Sequence, residues 1–458
     1  MGAKKVDFST GNIPKIVLRT SIPMIMAEIV HLLYNMVDRI YIGHIPENGS
    51  LALTGLGICF PIIAIFTAFG RLFGSNGGAP LLSMELGKGN TEEAGKIMGS
   101  AFTLSLYTGL FFMFFLIICK RPLLYAFGAS DVTYPFAEKY LTIYALGSIP
   151  VLLTLSMNPF ITGQGFSVMG MATTVIGAVL NIILDPLFIF VLNMGVEGAA
   201  VATVISQTIS MIFVLSFLVG KSPEVRIEKR YMKLEKKRSI RIMGLGMSGF
   251  TMGATNSIVQ IVCNKMALLY GGDLYVGVMT ILNSIRDIFA TPLLGIGSGA
   301  TPVMSYNYGM GDGKRVKSAS NSMLYYTLLI SALTWIIVFL FPSQLSGIFT
   351  TDQALIDASV YSLQIYFFGF IFMSFQTTAQ QTFVGLGKAK RATFFSLFRK
   401  VIIVVPLTLI LPKFFGIDGV MLAEPISNLI GGGAAYTTMR LTVFRELSQL
   451  DEKRSAKA

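Results

Sequence analysis

Twelve apolar stretches, each long enough to cross a bilayer, follow one another along a chain of 458 residues. A membrane span needs about 20 predominantly apolar residues. Between breaks of Gly, Pro and charge, the runs fall at about 14–42, 51–79, 95–119, 135–160, 168–193, 197–220, 240–270, 275–302, 318–341, 356–384, 392–413 and 417–440. Lipid offers no partner to a bare peptide group, so runs of this length are read as helices. Only 13% of the residues are charged and 53% are hydrophobic. Soluble chains carry roughly 25% charged residues, so a soluble protein of this size would lack the charges to cover its surface. The sequence therefore predicts an all-α integral membrane protein with twelve transmembrane helices, extending from about Ile13 to Phe444. Met1 to Asn12 is polar, and the run behind it is too long for a signal core, so no cleavable leader is expected. Cys59, Cys119 and Cys263 lie singly in apolar runs, which excludes disulfide-stapled and zinc-dependent readings.

A net charge of +12 could suggest nucleic acid, but the placement of the charges argues for topology instead. With both termini on one side, that side holds 26 Lys and Arg residues, nine of them between Lys221 and Arg241; the opposite loops hold four, Lys120, Arg121, Lys139 and Lys413. The positive-inside rule then predicts cytoplasmic termini and a multi-pass protein of the cytoplasmic membrane. The expected organisation is an N-terminal lobe of six spans (1–220), a basic cytoplasmic linker (221–239) and a C-terminal lobe of six spans with a cytoplasmic tail (240–458).

The chain is internally doubled. Gly77-Gly-Ala-Pro80-Leu-Leu-Ser83-Met-Glu-Leu-Gly87-Lys-Gly89 and Gly299-Ala-Thr-Pro302-Val-Met-Ser305-Tyr-Asn-Tyr-Gly309-Met-Gly311 both fit G-x-x-P-x-x-S-x-x-x-G-x-G at an offset of 222. The same offset carries Gly163 and Gly165 onto Gly385 and Gly387. An offset of 221 carries Gly195 and Gly198 onto Gly416 and Gly419, and Ala202 onto Ala423. Six spans is an even number, so the halves share one orientation. The expected relation is a pseudo-two-fold axis along the membrane normal, as in transporters with a cavity between two bundles.

Polar residues inside the spans point to what such a cavity handles. A charge at bilayer depth costs at least about 2.5–3.5 kcal/mol, so intramembrane acids need a reason. Glu28, His31, Asn35 and Asp38 occupy one stripe, about 80° wide, of the first helix. The fifth helix offers Asn181 and Asp185 one turn apart, the fourth Asn158, and the sixth a stripe that includes Thr203 and Gln207. Interhelical hydrogen bonding accounts for many such Ser, Thr and Gln residues; two acids in one half-bundle ask for more. Asp185 precedes Pro186, whose ring frees the carbonyl of Ile182. Carboxylates, an amide, a hydroxyl and a carbonyl are hard oxygen ligands for a small cation. Alternatively, a carboxylate sunk beside a second acid can hold a proton at working pH. Either chemistry makes a coupling-ion site, for H+ or for Na+.

The second half differs. Its seventh helix shows Thr255, Asn256, Gln260, Asn264 and Lys265 but no acid. Arg286 and Asp287 stand together in the eighth, as a structural or gating charge pair or as substrate contacts. Gln376 lies in the tenth, Arg399 and Lys400 in the eleventh, and Glu424 in the last. Glu28, His31, Asn35, Gln207, Gln260, Arg286, Asp287 and Gln376 are the candidate lining of a substrate cavity. Abundant Met and Phe suit adaptable surfaces, and acids among them favour amphipathic organic cations.

The duplicated twelve-span plan, the two G-x-x-P-x-x-S motifs and Val37-Asp38-Arg-Ile-Tyr-Ile-Gly43 closing the first helix resemble the multidrug and toxic compound extrusion (MATE) transporters over essentially the whole chain. The likeness is to bacterial and archaeal branches with a coupling site in the N-terminal lobe. It implies that Asp38, Asn158, Asn181, Asp185 and Thr203 form a cation-binding constellation, with Na+ held by Asp38, Asn181, Asp185 and Thr203 if sodium is the ion. It further implies an outward-open pair of lobes exporting cationic drugs in exchange for sodium or protons. No cofactor, enzymatic activity or nucleic-acid partner is expected of a chain working as a monomer in lipid. The chain departs from branches with an acid in the seventh helix.

Three other readings fit less well. A related flippase moving a lipid-linked or polyanionic substrate would line its cavity with Arg and Lys; the first-half stripes are acidic or neutral, although Arg286, Arg399 and Lys400 keep that alternative open. A major-facilitator carrier would show an acidic-basic loop after the second helix, where Gly87-Lys-Gly-Asn-Thr-Glu-Glu-Ala-Gly-Lys96 stands. No phosphate-binding G-x-x-x-x-G-K-[ST] loop is present, so ATP is not expected to drive transport directly.

Overall fold

Each apolar run becomes helical in the computed structural model, which describes residues 5–46 and 49–456. Lys4 and Lys457, two of the basic residues behind the predicted orientation, lie outside the described residues. The helices are α1 (Ile13–Gly43); α2 (Gly49–Phe73), which passes through a π turn (Gly74–Gly78) into α3 (Ala79–Gly87); α4 (Thr91–Ala126); α5 (Tyr134–Leu146) and α6 (Ser148–Gly163); α7 (Ser167–Pro186) with a π turn (Leu187–Val191); and α8 (Val196–Val219). After the basic segment come α9 (Lys236–Gly309), α10 (Gly313–Leu340), a short α11 (Pro342–Gly347), α12 (Gln353–Phe367) and α13 (Met373–Gly385). The chain continues as α14 (Ala389–Leu397), a π segment (Phe398–Val404), α15 (Val405–Ile410) and α16 (Pro412–Phe415). It ends with α17 (Ile417–Thr438), a π turn (Met439–Val443) and α18 (Phe444–Ser455).

Among the described residues, eight helical stretches are long and apolar enough to span a bilayer, and the bent pairs α5–α6 and α12–α13 make ten. α9 is two helices joined at Gly272, whose φ of 69° breaks the helical path, and α17 supplies the last. Twelve spans result, within a few residues of the runs read from the sequence.

Packing divides the chain into two units. In the first (residues 5–7 and 26–250 of the described chain), Phe66, Leu141, Leu152 and Ala199 are fully buried at the centre of one apolar core. The basic segment after α8 belongs here: Thr103 donates to the carbonyl of Met232 at 2.8 Å, and Arg238 meets Glu93 at 3.0 Å. In the second unit (residues 8–25 and 251–456), Leu282, Leu363, Phe367 and Met421 are likewise fully buried. The first half of α1 packs in this second unit, where Thr20 donates to the Gly299 carbonyl (2.9 Å) and Ser21 to that of Ile296 (3.3 Å). The start of α9 packs correspondingly in the first.

The duplication is visible atom by atom. The motif Ser83 donates to the carbonyl of Gly163 at 2.8 Å, and its counterpart Ser305 donates to that of Gly385 at 2.7 Å. Asn90 caps α4 by accepting from the Glu93 N–H (3.1 Å), and Asp312, 222 residues on, caps α10 through the Arg315 N–H (3.0 Å). Gly195 and Gly416 precede α8 and α17 with φ of 57° and 58°. Residues with a Cβ avoid that region, which is why the Gly recurs.

Candidate functional site

Three helices of the first unit bring their polar residues to one place. α1 is polar along a single stripe, and Asp38 near its C-terminal end is 7% exposed. α7 places Asn181 and Asp185 on the same face, 2% and 0% exposed. Pro186 cannot donate to the helical ladder, and the chain continues as the π turn Leu187–Val191, a distortion found often at functional positions. α8 contributes Thr203, 7% exposed.

Asn181 links the group. Its amide donates to Asp185 Oδ1 at 3.1 Å and lies 3.3 Å from Thr203 Oγ1. The carboxyl groups of Asp38 and Asp185 stand within hydrogen-bonding reach of each other. Three enclosed oxygens of the set, Asp38 Oδ1, Asn181 Oδ1 and Asp185 Oδ2, have no hydrogen-bond partner among the described residues. Arg39 is near enough to exert a field on Asp38, yet its guanidinium lies over the Phe60 ring, 4.3 Å from the centroid. A buried acceptor left without a donor costs about 1–3 kcal/mol, and more when charged. Two carboxyl groups, an amide and a hydroxyl, with no Lys or Arg ion-paired to either acid among the described residues, can take a proton or a small hard cation.

Two tyrosines that the sequence reading passed over border the cluster. Tyr34 stands in the field of both acids and Tyr140 in that of Asp38. Tyr34 precedes Asp38 by one helical turn, so its position on the acid's face was available from periodicity; tyrosines in apolar helices are ordinarily read as packing.

The other candidates are placed as follows. Asn35 donates to the His31 carbonyl at 2.6 Å, and Glu28 and His31 both lie in the field of Arg71. Asn158 is held by Gly170 (3.2 Å) and Thr174 (3.3 Å); the structure shows no bond between it and the acids. Gln207 turns a buried, unpartnered Oε1 inward. In the second unit Gln260 is exposed, and Gln376 is buried with an unpartnered Oε1 and packs against Gly432. Arg286 binds Asp287 (3.0 Å) and the Tyr366 hydroxyl (3.0 Å).

The second unit also encloses charge. Glu424 accepts from Lys400 at 3.1 and 3.4 Å and from Arg399 at 3.0 Å, and Arg399 also reaches Asn428 at 2.8 Å. By the 221-residue offset, Glu424 occupies the position of Thr203 and Asn428 that of Gln207.

Residues 23–187 and 250–410 match the MatE family profile. The chain is 24% identical over 436 residues to a protein named multidrug export protein MepA from Staphylococcus saprophyticus, covering 95% of each. A MepA from Staphylococcus aureus is 24% identical over 447 residues, covering 95% of this chain and 96% of that one. The fold superposes with a TM-score of 0.91, at 23% identity, on a solved structure described as the outward-facing conformation of a multidrug resistance MATE family transporter, covering 99% of this chain and all of that one.

Proposed function

Because the chain belongs to the MatE family of multi-pass membrane transporters, we propose that it is a secondary antiporter that exports amphipathic organic cations in exchange for H+ or Na+. The observation that carries this reading is the buried set of unpartnered oxygens on Asp38, Asn181 and Asp185. Two carboxyl groups side by side repel when both are ionised, and a cation between them relieves the repulsion. A proton does so by bridging the pair. A sodium ion does so by gathering Asp38, Asn181, Asp185 and the Thr203 hydroxyl. Asn158 is the outlying member of the proposed set.

The exported cation competes for the same negative field. With the acids ionised, the stripe Glu28–His31–Asn35 and the amide of Gln207 receive the drug. Entry of the coupling ion from outside neutralises the acids, the drug loses its counter-charge, and it leaves outward. The termini lie in the cytoplasm, as the distribution of Lys and Arg favours. The driving force suffices: about 2.3 kcal/mol per charge per 100 mV, plus about 1.4 kcal/mol per tenfold ion gradient. Together these sustain a gradient of roughly a few hundredfold per ion for a drug that carries no net charge across; for a monovalent cation exchanged one for one the potential cancels, and a tenfold ion gradient sustains about a tenfold drug gradient.

Proteoliposomes loaded with ethidium test the reading, with sodium and proton gradients imposed separately. One of the two gradients should drive efflux, and Asp38→Asn or Asp185→Asn should abolish it while insertion is retained. Wild-type rates from the double variant would overturn the assignment.

A further inference from the structure

One ion cluster of the second unit holds more cation than acid. Arg286, Arg399 and Lys400 share one field with Glu424, and Asp287 pairs with Arg286. Three cations face two acids, leaving one positive charge in excess. Lys400 and Glu424 satisfy each other, with side chains 6% and 9% exposed. Arg399 does not complete the pattern. Both of its bonds, to Glu424 and Asn428, leave from Nη1; Nε and Nη2 make none among the described residues, and the side chain is 11% exposed. Arg286 turns Nη1 to the neutral Tyr366 hydroxyl, and its acid Asp287 is 60% exposed.

The backbone makes room for this arm. A Cβ on Gly431 would come within 2.8 Å of Arg399 Cγ, so the glycine lets the aliphatic stem of Arg399 run close along α17. Arg399 and Lys400 are adjacent in a π segment, the irregular helix that recurs at functional positions.

We propose that this cluster is a carboxylate subsite, in which the free edge of Arg399, supported by Arg286, receives the single acid group of a transported amphiphile. Guanidinium presents two parallel N–H donors that match a carboxylate. One monoanion balances the excess of one charge, whereas a dianionic phosphate would overshoot it. A purely structural ion cluster would be expected to close its charge internally and engage both edges of a buried Arg, since uncompensated charge is costly within a span. The exporter would then take zwitterions as well as simple cations; that last step rests on the antiport reading above.

Binding of benzoate to the purified full-length protein, with benzamide as its neutral isostere, tests the subsite by calorimetry and by the shift in unfolding midpoint. Benzoate should bind saturably and benzamide should not. Arg399→Gln should weaken benzoate at least tenfold, and Arg399→Lys, which keeps the charge but loses the fork, should give an intermediate loss. Glu424→Gln should tighten benzoate several-fold, because it releases donors now held by the internal acid. Equal responses to benzoate and benzamide would overturn the proposal, as would undiminished benzoate affinity in a folded Arg399→Gln protein. Should Glu424→Gln fail to fold, the two Arg399 variants decide. No ion gradient is imposed, so failure of antiport leaves this result standing, and loss of benzoate binding leaves antiport standing.

Discussion

Both units bury carboxyl groups within their helices, but Glu424 of the second is paired with Lys400 and Arg399, whereas Asp38 and Asp185 of the first form no ion pair with Lys or Arg among the described residues. Glu424 lies among Lys400, Arg399 and Asn428, while Asp38 and Asp185 face each other with oxygens that no donor reaches. The two clusters are related by the duplication, since Glu424 stands at the counterpart of Thr203. Once a repeat has been copied, either copy can specialise. Lys400 is a cation tethered to the chain, so Glu424 cannot exchange it for one from solution; the acids of the first unit have no such tether. On the proposed reading, exchange belongs to one copy and a fixed charge pattern to the other.

Stability and activity should separate along this line. Lys400→Met should cost about 3 kcal/mol, the low end for breaking a buried pair because Arg399 remains beside Glu424. Asp185→Asn should leave the unfolding midpoint in detergent unchanged or raise it, while efflux is lost. An Asp185→Asn protein that melts as early as Lys400→Met would dissolve the contrast.

The exchanged half-helices give a smaller, symmetric effect. A Cβ on Gly246 would come 1.9 Å from the Leu72 carbonyl oxygen, and one on Gly295 would come 2.5 Å from Ile25 Cα. Both contacts are with backbone, which cannot swing aside. Gly246→Ala and Gly295→Ala should therefore each cost roughly 1–3 kcal/mol, read as the unfolding midpoint. A cost confined to one unit would show that the copies dock their first helices differently.

Within the acid cluster, Asn181→Ala should weaken the coupling ion by about 1–2 kcal/mol, or roughly five- to thirtyfold, and Thr203→Val by only a few-fold. The concentration of ion giving half-maximal efflux reads both. The smallest effect is expected at His31, whose link to the stripe runs through Asn35. His31→Gln should shift the pH optimum of efflux by less than about one unit, and no shift at all would remove it from the proton path.

Helical periodicity explains why much of this was legible beforehand. Asn181 and Asp185 are one turn apart, so their contact is local; the G-x-x-P-x-x-S repeats set the register of the two halves before any contact was known. Contacts between helices were harder. The resemblance groups Asn158 with the acids, and in the structure its amide donates to Gly170 and Thr174. Lys400 and Glu424 were each noticed without a partner, because 24 residues and two helices separate them. The packing of residues 8–25 in the second unit left no sign in hydropathy, which records burial and not which neighbour provides it.

On the proposed mechanism the coupling ion and the exported cation compete for Asp38 and Asp185. Ethidium binding to the purified protein, titrated with protons and with Na+ in turn, tests it most directly. One of the two ions should displace ethidium from the wild-type protein, and that ion should have no effect on whatever ethidium binding the Asp38→Asn/Asp185→Asn protein retains. Displacement of equal strength in the double variant would contradict the account.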